Sequence, residues 1–160
     1  MGSGKSSTGR ELARLLKVNF LDIDDLIVER TSRSVNKIFM TDGEPYFRKI
    51  ESEILQEVSS RPDQVVATGG GIVLNPLNGE RMKSTGLVLY LRTSLEVLWE
   101  RVKHKKDRPL LNTPNPRKAL ADILRDRSYY YDALADKIFL TDQKLPETVA
   151  HEIFKTYFEK

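Results

Sequence analysis

The sequence predicts an α/β protein: a parallel β-sheet with helices on both faces. Three observations carry this. Short apolar runs alternate with longer helix-like stretches along the whole chain. The run Val65-Val66-Ala67-Thr68 is apolar without alternation, as a strand buried on both faces requires. Two runs pass directly into acidic or glycine residues, Asp22-Ile23-Asp24 and Gly69-Gly70-Gly71. Open sheets of this class keep their ligand crevice at the carboxyl ends of the strands.

The elements follow in order. Residues 7–17 predict a helix, with Leu12, Leu15 and Leu16 on one stripe and Ala13 compatible with it. Residues 19–24 predict a short strand ending in acid, and 25–30 the start of a second helix. Residues 36–40 and 44–59 predict helices, the latter burying Ile50, Ile54, Leu55 and Val58. The stretch from Ser59 through Pro62 to Asp63 breaks that helix. Residues 65–68 form the next strand. A further helix leads to a strand at 87–91, flanked by Gly86 and Thr93, and 95–102 is helical again. Residues 104–116 are polar and basic and contain three prolines, so an exposed loop is expected. Helix returns over 117–134, a last strand at 137–140, and a closing helix at 146–158.

With 160 residues one domain is expected, long enough to bury about two-thirds of the surface its unfolded form exposes. An apolar share of 39% against 31% charged excludes a disordered chain. The lack of cysteine excludes a disulfide framework and a thiolate zinc site, and fits a reducing cytoplasm. No apolar run reaches the length of a membrane span. The net charge of +3 is spread among 23 acidic residues, so it reads as a solvated surface. No basic face with interleaved aromatics points to nucleic acid.

The opening Gly2-Ser3-Gly4-Lys5-Ser6-Ser7 has the end of the phosphate-loop pattern G-x-x-x-x-G-K-[ST]. Gly2 and Gly4 allow backbone N–H groups to turn inward as an anion nest. Lys5 would reach the terminal phosphates, Ser6 would ligate magnesium, and the following helix would point its positive end at the phosphates. The pattern's leading glycine and its preceding strand would fall before Met1. A missing N-terminal piece of roughly ten residues is therefore expected, one strand of about five or six plus a turn. The plainer reading is a flexible Gly/Ser leader.

Later features add to this. Strand alternation puts Asp22 and Asp24 on one face, where one carboxylate could hold magnesium through water and the other orient or deprotonate a hydroxyl. A helix N-cap at Asp24 or Asp25 is the alternative. The triple glycine permits close approach to a ligand, or is a loose turn. Arg48 could fork onto a carboxylate, and Arg108 could swing over a transferring phosphoryl group, or both are solvated charges.

Taken together, G-S-G-K-S, D-I-D, Asp42-Gly43-Glu44 through Phe47-Arg48 to Glu51, G-G-G, Arg108-Pro109-Leu110-Leu111 and Arg127 with Tyr131 resemble shikimate kinases along the whole chain. The resemblance implies a P-loop NTPase-like three-layer fold with a five-stranded parallel sheet of order 2-3-1-4-5, its central strand absent from this chain. It implies one domain over 1–160, with a substrate-binding region at 25–54 and a lid at 102–116. The implied activity moves the terminal phosphoryl of ATP to the 3-hydroxyl of shikimate with Mg2+, within chorismate and aromatic amino-acid biosynthesis.

By the same resemblance Gly2, Ser3, Gly4, Lys5, Ser6 and Ser7 bind ATP, and Ser6 and Asp22 serve the metal. Asp24 binds the substrate and helps its attacking hydroxyl lose a proton. Arg48 and Arg127 clamp the carboxylate, Glu51 holds Arg48, and Gly70 and Gly71 close on the ring. Phe39 and Phe47 line the pocket. Arg108 comes from the lid, Arg101 packs on adenine, and residues 142–146 form the adenine loop. The protein is expected to be cytoplasmic and monomeric, with no nucleic-acid or membrane partner. With its central strand absent, the chain is expected to fold poorly or bind ATP weakly. The competing readings are a gluconate-type kinase, a kinase-like binding protein that does not catalyse, and a nucleic-acid module.

Overall fold

The computed structural model describes residues 2–105 and 107–159. Eight α-helices and four strands follow one another among these residues. They are α1 (Lys5–Leu16), β1 (Asn19–Asp22), α2 (Ile23–Thr31), α3 (Val35–Thr41), α4 (Gly43–Val58), β2 (Gln64–Ala67), α5 (Pro76–Thr85), β3 (Leu89–Arg92), α6 (Leu95–Val102), α7 (Pro116–Leu134), β4 (Lys137–Leu140) and α8 (Pro146–Tyr157). Single 3-10 turns cover Ile72–Leu74 and Pro109–Leu111.

Local chemistry sets the boundaries. Gly4 adopts φ 86°, which lets the chain turn into α1 at Lys5, two residues before the start expected from the sequence. The Ser34, Asn75, Ser94 and Asn115 side chains accept from backbone N–H groups to cap α3, α5, α6 and α7. Pro76 and Pro116 then occupy the first turn, where no N–H is needed. Helix α4 buries Phe47, Ile50, Ile54, Leu55 and Val58 on one stripe, with Glu51 among them.

The strands alternate between two helix layers. Val66 of β2 packs with α2, α3 and α4 in a cluster that includes Ile23, Ile27, Ile38 and Ile54. Its neighbour Val65 faces the other way, with Leu12 of α1, Val149 and Ile153 of α8, and Leu89 and Leu91 of β3. Helices therefore cover both faces, as expected. A third cluster joins Leu98 and Val102 of α6, Leu120 of α7 and Leu111 of the second 3-10 turn. The 104–116 segment is thus not wholly exposed: the prolines shape a turn that buries Leu111. Lys106 of this segment lies outside the described residues.

The sheet departs from a single continuous one. β1 pairs in parallel with β2, Asn19 opposite Gln64 and Asp22 opposite Ala67. β3 pairs in parallel with β4, Leu89 opposite Lys137 and Arg92 opposite Leu140. Among the described residues no strand joins the two pairs. Between them lies a cavity of about 630 Å³ lined by Val65, Val66 and Ala67, by Leu89 and Leu91, and by Gly9, Leu12 and Ile153. Helices α1 and α8, from opposite ends of the chain, pack on one another and bridge the two halves on one side.

Candidate active site

A second cavity, also of about 630 Å³, opens where the strands end. Its walls carry Ser3, Lys5 and Ser6 from the opening loop, Asp22 and Asp24 from the β1–α2 junction, Arg48 and Glu51 from α4, the triple glycine, Arg108, and Arg127 from α7. Phe39 and Phe47, with ring centroids 4.9 Å apart, complete it. Gly2, Gly4, Ser7 and Arg101 do not line it.

The opening loop turns on two left-handed glycines, Gly2 at φ 72° and Gly4 at φ 86°. Thr8 N–H donates to the Gly4 carbonyl at 2.9 Å, closing the first turn of α1. Lys5 Nζ reaches Ser3 Oγ at 3.4 Å. Burial lowers the Lys5 pKa, and the facing Asp24 charge works to raise it. Ser7, next along, is exposed. Arg101 donates to the Gly2 carbonyl at 3.0 Å and to the Thr141 carbonyl at 3.4 Å. It thereby ties the opening loop to the segment after β4.

Asp22 has two tasks. Its Oδ1 accepts from Asp24 N–H at 3.0 Å, capping α2, and its Oδ2 accepts from Ser6 Oγ at 2.5 Å. This corrects the sequence reading at one point. β1 stops at Asp22, and Asp24 stands in the first turn of a helix, not on a strand. The cap belongs to Asp22. Both carboxylates still reach the cavity, because the first turn of α2 carries Asp24 over its edge. Burial and the Asp22 charge push the Asp24 pKa up, while Lys5, Arg108 and Arg48 pull it down. Asp24 Oδ1 is buried without a hydrogen-bond partner.

Arg48 is held from two sides. It donates to Glu44 Oε1 from Nε at 3.0 Å and Nη2 at 2.9 Å, and to Glu51 Oε2 from Nη1 at 2.7 Å. Glu51 is fully buried, and burial pushes its carboxyl up to about 7 against the opposing pull of Arg48. Burial works against the Arg48 charge too, but Glu51 and Glu44 together raise its pKa. Glu51 Oε1 has no partner.

The triple glycine is packed against these groups. A Cβ on Gly69 would lie 2.6 Å from Glu51 Oε1 and 3.4 Å from Asp24 Oδ1. One on Gly71 would lie 2.2 Å from Arg48 Nη2. The bare backbone is what allows the strap to sit on the charged cluster. Tyr131 Oη donates to the Gly70 carbonyl at 2.7 Å, a contact the sequence signals only through its spacing of one helical turn from Arg127. Arg127 is itself buried, and both Arg127 and Arg48 act on Glu51. Arg108 Nε is buried without a hydrogen-bond partner, and its charge acts on both Lys5 and Asp24.

A sequence profile of the shikimate kinase family matches residues 1–158. The chain belongs to the shikimate kinase family. It is similar to the shikimate kinase of Legionella pneumophila strain Corby, 41% identical over 155 residues, which span 97% of this chain and 89% of that one. It is 38% identical over 153 residues to the shikimate kinase of Xylella fastidiosa strain M12, covering 96% and 85% of the two chains. Among solved structures, the shikimate kinase of Acinetobacter baumannii in complex with shikimate superposes with a TM-score of 0.95 at 38% identity, over 98% of this chain and 87% of that one. The shikimate kinase of Aquifex aeolicus follows at 0.82 and 34%, over 98% and 90%. The α/β P-loop kinase architecture is therefore shared across the shikimate kinase family and this chain.

Proposed function

We propose that the chain transfers the terminal phosphoryl group of ATP to the 3-hydroxyl of shikimate. The observation that carries this is one cavity with two chemically different ends and a carboxylate that senses both. Lys5, Ser6 and Asp22 suit a phosphate and its counter-ion, Arg48 and Arg127 suit a carboxylate, and the Asp24 charge responds to Lys5 and Arg108 as well as to Arg48.

Phosphoryl transfer needs positioning and charge neutralisation above all. Lys5 and Arg108 would neutralise the oxygens of the group in flight. Asp24, with one oxygen buried and unpartnered, would accept the proton of the attacking hydroxyl. Arg48 and Arg127 would hold the substrate carboxylate in a planar fork, a task for which Lys is a poorer substitute. Gly70 and Gly71 would lie along the ring, with Phe39 and Phe47 beside it. Gly2, Gly4 and Ser7 would belong to the phosphate loop without facing the cavity, and Arg101, beside Thr141, would serve the adenine end. The region 25–54 would form the substrate subsite and 102–116 the lid that keeps water out.

Mg2+ fits the donor set. It takes one or two protein oxygens and completes its shell with phosphates and water. Ser6 and Asp22, already in contact, would serve it, the carboxylate through water. Bound there, it would supply positive charge to the ATP phosphates.

The finer fold reading belongs here too. An order 2-3-1-4-5 would place a central strand between β2 and β3, and the apolar cavity between those strands supports it. A cytoplasmic monomer is the accompanying reading. Among the described residues no helix is long and apolar enough to cross a membrane.

ADP release from ATP and magnesium, with and without shikimate, tests the proposal, with Asp24→Asn as control. Shikimate-dependent release that is lost in the variant is expected. Equal or greater release with gluconate would replace shikimate by another carboxylate acceptor. Shikimate binding without turnover would favour the non-catalytic reading.

A further inference from the structure

Tyr131 stands at the meeting point of three parts of the site, and the phosphoryl-transfer scheme above gives it no task. It lies on α7 one helical turn after Arg127, and its phenol donates to the Gly70 carbonyl at 2.7 Å. The Arg127 charge, and more weakly that of Arg48, acts on this phenol. Gly70 leads into Gly71, where an added methyl group would overlap the Arg48 guanidinium. The phenol thus joins the helix that carries one clamp arginine to the backbone that touches the other.

The ring itself is fixed independently of its hydroxyl. It packs against Tyr90 of β3 with centroids 4.9 Å apart. One turn on, Leu134 packs against Gly79 of α5. A cation facing the phenol oxygen leaves the O–H proton one direction to point, toward the carbonyl. Removing the hydroxyl therefore cuts the tie to Gly70 while the helix stays docked through Tyr90 and Leu134.

We propose that Tyr131 is a positioning residue that sets the spacing between Arg127 and the Gly70–Gly71 strap, and through the strap the place of Arg48. The inference rests on the shikimate reading of the cavity. It gives carboxylate recognition a third member, one that lines the same cavity and acts through the strap. The tie acts on the acid subsite and leaves the phosphate loop alone, because none of its contacts reaches Ser3, Lys5 or Ser6.

Tyr131→Phe tests it. Kd and KM for shikimate are expected to rise about five- to tenfold, the loss of one buried hydrogen bond, with KM for ATP and kcat within about twofold of the unaltered protein. The melting temperature should fall by only about 2–4 °C, the share of the same bond in the stability of the fold. A double-mutant cycle with Arg127→Lys should be non-additive for shikimate and additive for ATP. An unchanged shikimate KM would overturn the inference. So would a parallel loss in both substrates with a melting temperature lowered beyond that range, which would make the tyrosine merely structural. Shikimate binding to the unaltered protein is measured first: its absence would overturn the substrate reading and this inference with it, whereas binding that Tyr131→Phe leaves intact would overturn the inference alone.

Discussion

Gly71→Ala puts the charged cluster to the hardest test. The backbone at Gly71 has φ −86°, so alanine meets no torsional objection. The objection is contact. The new Cβ would lie 2.2, 2.4 and 2.6 Å from Nη2, Cζ and Nη1 of Arg48. The guanidinium would have to retreat by more than 1 Å, from 2.2 Å to at least 3.4 Å, to restore ordinary van der Waals contact. Three hydrogen bonds to Glu44 and Glu51 hold it where it is. Losing the one to Glu51 costs about 1.5–3 kcal/mol, as a bond between charged groups, and leaves a carboxylate buried without its cation. That range corresponds to roughly a ten- to hundredfold rise in shikimate KM if the loss falls on binding. Steady-state kinetics with each substrate varied in turn, beside a thermal melt, read it out. Gly86→Ala is the control: the backbone there is extended and nothing lies within 4 Å of the added carbon. A Gly71→Ala enzyme with the parent's shikimate KM would refute the claim that the bare backbone is needed to seat Arg48.

The remaining predictions concern charge, packing and the sheet. The folded Glu51 carboxyl titrates near 7, above its ordinary 4.5, so between those values the folded chain holds a proton the unfolded chain lacks. Stability gained in this way is fully present below 4.5 and is lost as pH rises through 7, so Glu51→Gln should gain melting temperature relative to the parent between pH 5 and pH 8. A difference that does not move with pH would count against it. Gly9→Ala would bring a Cβ to 2.6 Å from Cε2 of the Phe20 ring and push α1 off β1, lowering stability by about 1–3 kcal/mol in a denaturant titration. No loss would show that the helix seats less tightly than described. An apolar strand-forming peptide of about six residues should raise the melting temperature in a saturable way, where a polar one of equal length does not. Equal effects would argue against a central strand in the cavity between the pairs.

Much of the architecture was legible because it rests on periodicity. The stripe of α4 carries the helical period, and the short apolar run at Val65 is marked as a strand by its length, its valines and the breaks at Pro62 and Gly69. The β1–α2 junction was harder. Asp22 and Asp24 share a parity that a strand would put on one face, yet the Asp22 side chain captures the Asp24 N–H and starts the helix two residues early. Competition of this kind between a side chain and the ladder leaves no trace in apolar spacing. Bounds for α5 were likewise out of reach, since its polar sequence has little stripe to read and its start is set by the Asn75 cap and Pro76. At the site, the sequence and its resemblance nominate Lys5, Asp24, Arg48 with Glu51, and Arg127, but not every contact among them. The seating of Gly71 on Arg48 and the tie from Tyr131 to Gly70 exist only once distant segments meet. Arg101 adds two contacts that its residue type does not announce, donating to the Gly2 and Thr141 carbonyls.

The pairing of α1 with α8 has a consequence for how the molecule is made. The opening Gly2–Ser6 loop leaves the ribosome well before α8, but the helix it opens rests on Val149, Ala150 and Ile153 of that later helix. Until those residues are synthesised, the apolar side of Leu12 has no cover from α8 and the two strand pairs have no common brace on that side. Under the proposed function, nucleotide recognition is thus complete only after α8 has been made, although Lys5 and Ser6 precede it by most of the sequence. Nascent chains halted before Pro146 should be open to protease around α1, and full-length chains closed to it.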